Sequence, residues 1–311
     1  MLSPLQRPPL PPSIAKLYPF STRQLHLGEE RMSFAEVGNV DAPPLLFVHG
    51  APIWSFLFRE AAKTCAAKFH VIAPDHVGFG LSSKPADSNY HTLERHSANL
   101  CALVEELNLD GITLVLHDWG GPIGLGLATR YPQKVESIVL LNTWALPVTA
   151  NVKLPWQSRL LQSTLGSVAP RALLNSTLRS LSTKPMRDDV LAAYQFPMEQ
   201  PNGLVGPLAF TRMCSAQAGT VNARTLDEIA SNLKSITARV EIVWGKRDPI
   251  CRSPLLAYKL RDAFPNAAEP RWLENAGHLV PEDAPGDLND VLLAPFRPKP
   301  QMQRPVFNIL K

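Results

Sequence analysis

The stretch GITLVLHDWGGPIGLGLATR, from Gly111 to Arg130, decides the fold of this chain. Its first part, ITLVL at 112–116, is apolar with β-branched residues, which is typical of a strand covered on both faces. Gly120 and Gly121 follow, and because glycine has no side chain, the chain can turn tightly there and a helix can lie close to the strand. The stretch therefore predicts a buried strand, a sharp corner at Asp118 and a helix.

A carboxylate at such a corner has two interpretations. An aspartate between a strand and a helix is often only a helix cap, and Gly-Gly is a common turn. The same arrangement is also the nucleophile elbow of α/β-hydrolases, where backbone N–H groups and a helix N-terminus face the reacting atom. The elbow residue is usually serine, whereas here it is Asp118. The rest of the chain must decide between the two.

Composition restricts the classes of function. A chain of 311 residues suits one large core with an inserted subdomain. The net charge of +4 is scattered, and no apolar run approaches the roughly 20 residues that span a bilayer, so we expect neither nucleic-acid nor membrane partners. The four cysteines are widely spaced without a CxxC pair, which favours free thiols over a zinc site or disulfides. We expect a cytoplasmic protein, with a monomer favoured.

Strand and helix patterns alternate from residue 21 onward. Residues 1–20 are dense in proline and are predicted to form an extended arm without regular structure. The alternation predicts a mostly parallel, eight-stranded sheet with helices on both faces. The predicted strands are 23–27, 32–37, 45–48, 69–74, 112–116, 135–142, 240–244 and 271–273.

The middle region, 148–235, has no convincing strand, and its prolines favour short helices. An insertion after a central strand would cover the carboxyl ends of the sheet, where ligands bind in open α/β folds. We therefore predict a helical cap at 148–235 on a core made of 21–147 and 236–311.

Two further ionisable residues follow predicted strands. Asp248 comes after the strand at 240–244, and His278 comes after the last strand. Each has a structural interpretation, because Asp248 could begin a turn and a lone histidine is more often structural than catalytic. Together with Asp118, however, they give the order nucleophile, acid, histidine that α/β-hydrolases use. The sequence therefore predicts a catalytic triad.

The nucleophile determines the chemistry. A carboxylate that attacked an ester would form an anhydride, a poor intermediate, but it is well suited to displacing a leaving group from tetrahedral carbon. His278, oriented by Asp248, would then activate the water that hydrolyses the ester on Asp118. The backbone amides of Ala51 and Trp119 are the expected oxyanion donors. This scheme needs no metal and no cofactor, only a small apolar substrate and water.

Six motifs together resemble those of haloalkane dehalogenases. They are HGxPxW at 49–54, DHxGxGxS at 75–82, VxHDWGG at 115–121, NTW at 142–144, WGxxD at 244–248 and GH at 277–278. The resemblance runs from about residue 25 to 290, is weakest in the cap, and is closest to the branch with the acid after the seventh strand. That branch also contains β-lactone decarboxylases. The resemblance implies Asp118 as nucleophile, His278 as base, Asp248 as acid and the Trp119 indole as a halide donor.

One position departs from that pattern. Dehalogenases use a second halide donor, often an asparagine directly after His-Gly or a tryptophan in the cap, but here the first position is Ala51. Trp144, Trp156 or Asn142 could replace it. Each also has a structural interpretation: the tryptophans as cap packing and Asn142 as a hydrogen bond at a strand end.

Two other functions stay open from sequence. Epoxide hydrolases share the aspartate elbow but use two cap tyrosines, and only Tyr194 falls in the predicted cap. They also prefer a small residue two positions before the nucleophile, where this chain has Leu116. A non-catalytic receptor with the same fold would usually lack a triad member, and this chain keeps all three.

Overall fold

A mixed sheet of eight strands organises the molecule. The structure is a computed structural model and describes residues 2–146, 170–213, 220–251 and 254–294. Numbered along the chain, the strands lie side by side in the order 1-2-4-3-5-6-7-8; the second strand is antiparallel to the first and fourth, and all other neighbours are parallel. The prediction of a mostly parallel, eight-stranded sheet is confirmed. The strands are β1 (Thr22–Leu27), β2 (Glu30–Val37), β3 (Pro44–Val48), β4 (His70–Pro74), β5 (Ile112–Asp118), β6 (Val135–Thr143), β7 (Arg239–Gly245) and β8 (Arg271–Leu273).

Helices cover the sheet because its central strands are apolar on both faces. Every residue of β5 is buried, as the uninterrupted apolar run predicts. The helices at Leu93–Glu106, Gly120–Arg130 and Val221–Asn232 pack together, and the helix at Arg59–Cys65 packs against the one at Pro285–Leu293. The helices of the described residues are α1 (Pro12–Leu17), α2 (Arg59–Cys65), α3 (Leu93–Glu106), α4 (Gly120–Arg130), α5 (Pro170–Leu181), α6 (Asp188–Glu199), α7 (Val205–Met213), α8 (Val221–Asn232), α9 (Pro254–Ala263), α10 (Val280–Asp283) and α11 (Pro285–Leu293).

The N-terminal arm differs from the prediction. Residues 12–17 form the short helix α1, which begins with a proline at its first position, where the missing N–H costs no hydrogen bond. Ile14 and Tyr18 are buried in the core, and the Tyr18 hydroxyl lies 2.6 Å from the Ser55 hydroxyl. The expectation of an arm without regular structure is therefore wrong for this segment.

The described part of the region predicted to form a cap is helical. Residues 170–213 and 220–235 contain helices α5 to α8 and no strand. Helix α7 contacts the elbow through Phe210, whose ring lies 5.4 Å from that of Trp119. Helix α6 contacts the core through Ala193, whose carbonyl accepts a 3.0 Å hydrogen bond from the Trp54 indole. In the part of the chain that the structure describes, no helix is long and apolar enough to cross a membrane.

Candidate active site

Asp118 lies at the sharp corner that the sequence predicts. It is the last residue of β5, it is buried, and its φ of +52° is a left-handed conformation that non-glycine residues adopt mainly at strained functional turns. The turn needs glycines on the helical side. A Cβ at Gly120 would lie 2.0 Å from the Val48 carbonyl oxygen, and one at Gly121 would lie 1.8 Å from the Thr143 hydroxyl. The helix can therefore approach the sheet only without these side chains.

The three residues of the predicted triad lie together. His278 Nε2 is 3.2 Å from Asp118 Oδ2, and His278 Nδ1 is 2.9 Å from Asp248 Oδ2. All three side chains are buried. The imidazole thus bridges one carboxylate at the elbow and one in the loop after β7. Such an arrangement can hold a reacting carboxylate and a base within reach of the same water.

The two carboxylates control the charge of the imidazole. Burial alone lowers the pKa of His278, but the charges and hydrogen bonds of Asp248 and Asp118 outweigh burial and raise that pKa to about 10. Burial raises the pKa of Asp248, yet His278 and its other donors bring it below the ordinary value. The two carboxylates therefore favour the protonated form of the imidazole.

Asn142 binds the carboxylate of Asp248. Its Nδ2 donates to Asp248 Oδ2 at 2.6 Å, and its Oδ1 accepts from the Gly245 N–H at 2.8 Å. The Ile250 N–H donates to the other oxygen of Asp248 at 2.6 Å. The expectation that Asn142 is a halide donor does not fit these contacts, because its amide is already engaged at the strand ends.

Ala51 contributes its backbone to the site. Its N–H donates to Asp118 Oδ1 at 2.9 Å, so the carboxylate has one oxygen on an amide and the other on the imidazole. Gly50 allows this approach, since a Cβ there would lie 2.1 Å from the same oxygen. The contact is the one expected of an oxyanion donor. A similar role for the Trp119 amide stays a prediction.

A small cavity opens beside Asp118. Trp144 lies on its wall with a buried indole Nε1 that has no hydrogen-bond partner among the described residues, and its ring lies 5.1 Å from that of Trp119 at 74°. An unpaired buried N–H is costly unless a ligand or water accepts from it. Trp156, the other candidate, lies outside the described residues. The lining residues are Ala51, Pro52, Asp118, Trp119, Trp144, Leu174, Thr177, Leu181, Thr211 and Ile250.

Tyr194 does not line this cavity in the described part of the chain. Its hydroxyl donates to Glu282 Oε1 at 2.5 Å, and the Arg59 guanidinium binds both oxygens of the same carboxylate. The tyrosine is fully buried. Tyr194 therefore joins helix α6 to the core, and these contacts do not favour the epoxide hydrolase alternative.

The loop that carries His278 has supports that the sequence reasoning missed. His117 Nε2 donates to the His278 carbonyl oxygen at 2.8 Å. The end of α5 binds the same loop, because the Leu181 carbonyl oxygen accepts from the His278 N–H at 2.8 Å and from the Leu279 N–H at 3.2 Å. Asp283 accepts from the Gly277 N–H and from the Thr183 N–H. A local sequence pattern cannot show that residues about 100 positions apart are in contact, so these hydrogen bonds could be found only from the folded structure.

One group could also be considered for a metal. Cys251, Asp248 and His278 have possible ligand atoms within 4.8 Å of one another. The imidazole and the carboxylate are already hydrogen-bonded to each other and to Asp118 and Asn142, which is the pattern of a triad. The donor set therefore fits proton transfer better than metal ligation.

Comparison with known proteins agrees with this geometry. The alpha/beta hydrolase fold family matches residues 43–285. The chain is 32% identical over 280 residues to a cis-3-alkyl-4-alkyloxetan-2-one decarboxylase of Shewanella oneidensis, covering 88% of this chain and 87% of that protein. It is 29% identical over 285 residues to haloalkane dehalogenase 2 of Mycobacterium tuberculosis, covering 90% and 96%.

Solved structures show the same fold. Haloalkane dehalogenase DbeA from Bradyrhizobium elkani superposes with a TM-score of 0.79 at 23% identity, over 88% of this chain and 96% of that one. An alpha/beta hydrolase fold protein from Burkholderia ambifaria gives a TM-score of 0.72 at 26% identity, over 87% and 96%. The chain therefore belongs to the α/β-hydrolase fold family, and its relatives there include haloalkane dehalogenases and oxetan-2-one decarboxylases.

Proposed function

We propose that this protein is a haloalkane dehalogenase-like hydrolase in which Asp118 is the nucleophile, His278 the base and Asp248 the acid. The observation that carries the proposal is that the two oxygens of the Asp118 carboxylate have different hydrogen-bond partners. Oδ1 accepts from the Ala51 N–H, and Oδ2 lies 3.2 Å from the imidazole, beside an apolar cavity. A carboxylate held in this way presents one oxygen to carbon while the other stays bound to an amide.

The reaction would proceed in two steps. Asp118 Oδ2 attacks the carbon that bears the halogen, the carbon–halogen bond breaks, and halide leaves with the bonding electrons. His278 then removes a proton from water, whose oxygen attacks Cγ of Asp118 and places negative charge on Oδ1 beside the Ala51 N–H. Collapse breaks the Cγ–Oδ2 bond, and the departing alkoxide takes the proton from His278 and leaves as the alcohol. The new carboxyl group of Asp118 then loses the remaining proton of the water to solvent. Asp118 therefore retains one oxygen from water.

The elbow charge suits this order of events. In the resting site, Asp118 is one of two carboxylates that raise the pKa of His278. Formation of the ester removes the charge of Asp118, so the pKa of the imidazole falls and its proton is released. His278 thus becomes a neutral base when water must be activated.

The halide would leave between two indoles. Trp119 follows the nucleophile, and Trp144 has a buried Nε1–H on the same cavity wall that finds no acceptor in the described part of the chain. Since the side chain of Ala51 donates nothing, we propose Trp144 as the second donor in its place. The cap boundaries of 148–235, and the core at 21–147 and 236–311, are part of the same proposal.

A second candidate is β-lactone decarboxylation. The relative that is 32% identical carries that name, and Ala51 removes a side-chain halide donor, which a carboxylate leaving group would not need. Attack by Asp118 on the ring carbon that bears oxygen would open the lactone to an ester with a neighbouring carboxylate. Loss of carbon dioxide would form the double bond as the Asp118 carboxylate departs. This route consumes no water.

The experiment uses that difference. With 1-bromohexane, His278→Phe should gain the mass of one hexyl group and then stall, whereas Asp118→Asn should gain none. In heavy-oxygen water, repeated turnover of bromohexane by the wild-type protein should label Asp118. Turnover of a long-chain β-lactone should leave it unlabelled if decarboxylation occurs. An unmodified mass for His278→Phe after long incubation with 1-bromohexane, together with no alkene formed from the β-lactone by the wild-type protein, would contradict the covalent scheme and favour a non-catalytic role.

A further inference from the structure

The peptide group between Gly50 and Ala51 is hydrogen-bonded at both ends. Its N–H, on Ala51, donates to Asp118 Oδ1 at 2.9 Å. Its carbonyl oxygen, on Gly50, accepts from Nδ1 of the buried imidazole of His49 at 2.7 Å. His49 therefore binds the oxygen of the same peptide group whose N–H, on the opposite side, donates to Asp118.

The surroundings determine the tautomer of this imidazole. A carbonyl oxygen can only accept, so Nδ1 of His49 carries the proton. Nε2 accepts from the backbone N–H of His76 at 3.0 Å, so it is unprotonated. The His76 ring in turn donates from Nε2 to the His49 carbonyl oxygen at 2.9 Å. Burial also lowers the pKa of His49 well below its ordinary range, which keeps the ring neutral.

The hydrogen bonds therefore run in one direction toward the nucleophile. They pass from the His76 N–H to the His49 ring, from that ring to the Gly50 carbonyl, and from the Ala51 N–H to Asp118. A hydrogen bond to the oxygen of an amide polarises the amide and strengthens its N–H as a donor. The ring also fixes the orientation of the peptide plane.

We propose that His49 is a positioning residue for the Ala51 N–H in hydrolysis of the ester on Asp118. This inference rests on the proposed aspartyl-ester mechanism. The two steps should depend on His49 unequally. Ester formation removes charge from the carboxylate, whereas attack by water builds negative charge on Oδ1, which the Ala51 N–H stabilises. Weakening this donor should therefore slow ester breakdown and leave ester formation nearly unchanged.

A packing role for His49 makes a different prediction. Its ring also lies 4.4 Å from that of His76 and 5.7 Å from that of Phe79, so it could serve only as an aromatic filler. Phenylalanine would preserve such packing but not the N–H. Asparagine would shrink the ring but keep an N–H at the position of Nδ1.

Rapid-quench kinetics with 1-bromohexane separates the two roles. In His49→Phe, ester breakdown should slow by about tenfold, less than the roughly 10²–10³ lost when an oxyanion donor is removed outright, and ester formation should stay within about twofold. His49→Asn should recover most of the breakdown rate. His91→Phe is the matched control, because this imidazole is also buried, in the neighbouring group of histidines, but does not contact the peptide. Equal slowing of both steps in His49→Phe would overturn the proposal.

A spectroscopic measurement tests the donor directly. In a His278→Phe background with ¹³C-labelled aspartate carboxyl groups, the ester on Asp118 should accumulate, and its carbonyl stretch reports the hydrogen bond at Oδ1. Adding His49→Phe should move that band to higher frequency, and His49→Asn should move it back. An unchanged band would overturn the proposal.

Two failures stay distinguishable. If His49→Phe does not fold, His49→Gln takes its place; it carries a displaced donor and should be slower in ester breakdown than His49→Asn, and equal rates would count against the proposal. If the wild-type protein forms no ester at all, the proposed function fails before the role of His49 is tested.

Discussion

Replacing Asp118 with asparagine should lower the pKa of the His278 imidazole by about three units. In the structure, Asp118 Oδ2 lies 3.2 Å from Nε2, which places the centres of the two charges about 4 Å apart. At an effective dielectric constant of about 20, charges at this separation interact by about 4 kcal/mol. Since one pKa unit corresponds to about 1.36 kcal/mol, the loss is about three units. The pKa of about 10 should fall to about 7.

Nuclear magnetic resonance of ¹³C-labelled histidine provides the assay. The chain has eight histidines, and the His278 signal is assigned by its loss in His278→Gln. The matched control is Glu274→Gln, which removes one negative charge from an exposed carboxylate in the loop before His278. Solvent and salt screen that charge, so the control should move the pKa of His278 by no more than about 0.3 unit. A decrease of less than about one unit in Asp118→Asn would refute the coupling.

Four other outcomes follow from the same geometry. Breakdown of the hexyl ester should accelerate as pH rises through about 7 and then level off, because it needs neutral His278 without the Asp118 charge; a rise that continues to pH 10 would contradict this. Ala51→Asn should change bromide release by less than about twofold, because Trp144 is the proposed second donor, and a tenfold rise would contradict that assignment. Tyr194→Phe should lower the free energy of unfolding by about 1.5–3 kcal/mol yet keep turnover within about twofold, whereas a tenfold fall would revive an acid role. Gly121→Ala should destabilise the protein by about 3 kcal/mol in denaturant titration, since the new Cβ would lie 1.8 Å from the Thr143 hydroxyl; a loss under about 0.5 kcal/mol would show that the turn relaxes.

The proposed triad could be located from sequence because of one topological rule. The carboxyl ends of parallel strands meet at one edge of a sheet, so polar residues directly after different strands become neighbours. Asp118, Asp248 and His278 all satisfy that rule, and the structure brings their side chains within hydrogen-bonding distance. Elbow glycines were equally predictable, because only a missing side chain allows that turn.

Asn142 shows where this reasoning ends. An amide at a strand end can donate into the cavity or to a neighbouring strand, and the sequence does not distinguish the two directions. The Asn142 side chain points toward the neighbouring strand because its backbone has a φ of +39°. The end of β7 then supplies the Gly245 N–H to the amide oxygen, and the loop after β7 brings Asp248 to the amide nitrogen. Both depend on how three distant segments pack.

The prediction for the N-terminal arm was wrong for a different reason. The many prolines of residues 1–20 favour an extended chain, but proline is compatible with the first position of a helix, where Pro12 stands. A signal was available in Ile14 and Tyr18, which are four residues apart and therefore share one face of a helix. The structure buries both.

The hydrogen bonds between α5 and the loop that carries His278 restrict where this protein can be recombined with its relatives. The Leu181 carbonyl oxygen holds the N–H groups of both His278 and Leu279, and Asp283 joins the following residue pair, Ser182 and Thr183, to the same loop. A chimaera that exchanged the whole helical region would replace the groups that hold the imidazole in place. Donor segments should therefore be spliced so that residues 181–184 stay with their own C-terminal half, and a library of crossovers that ignores this constraint should yield folded proteins with misaligned bases.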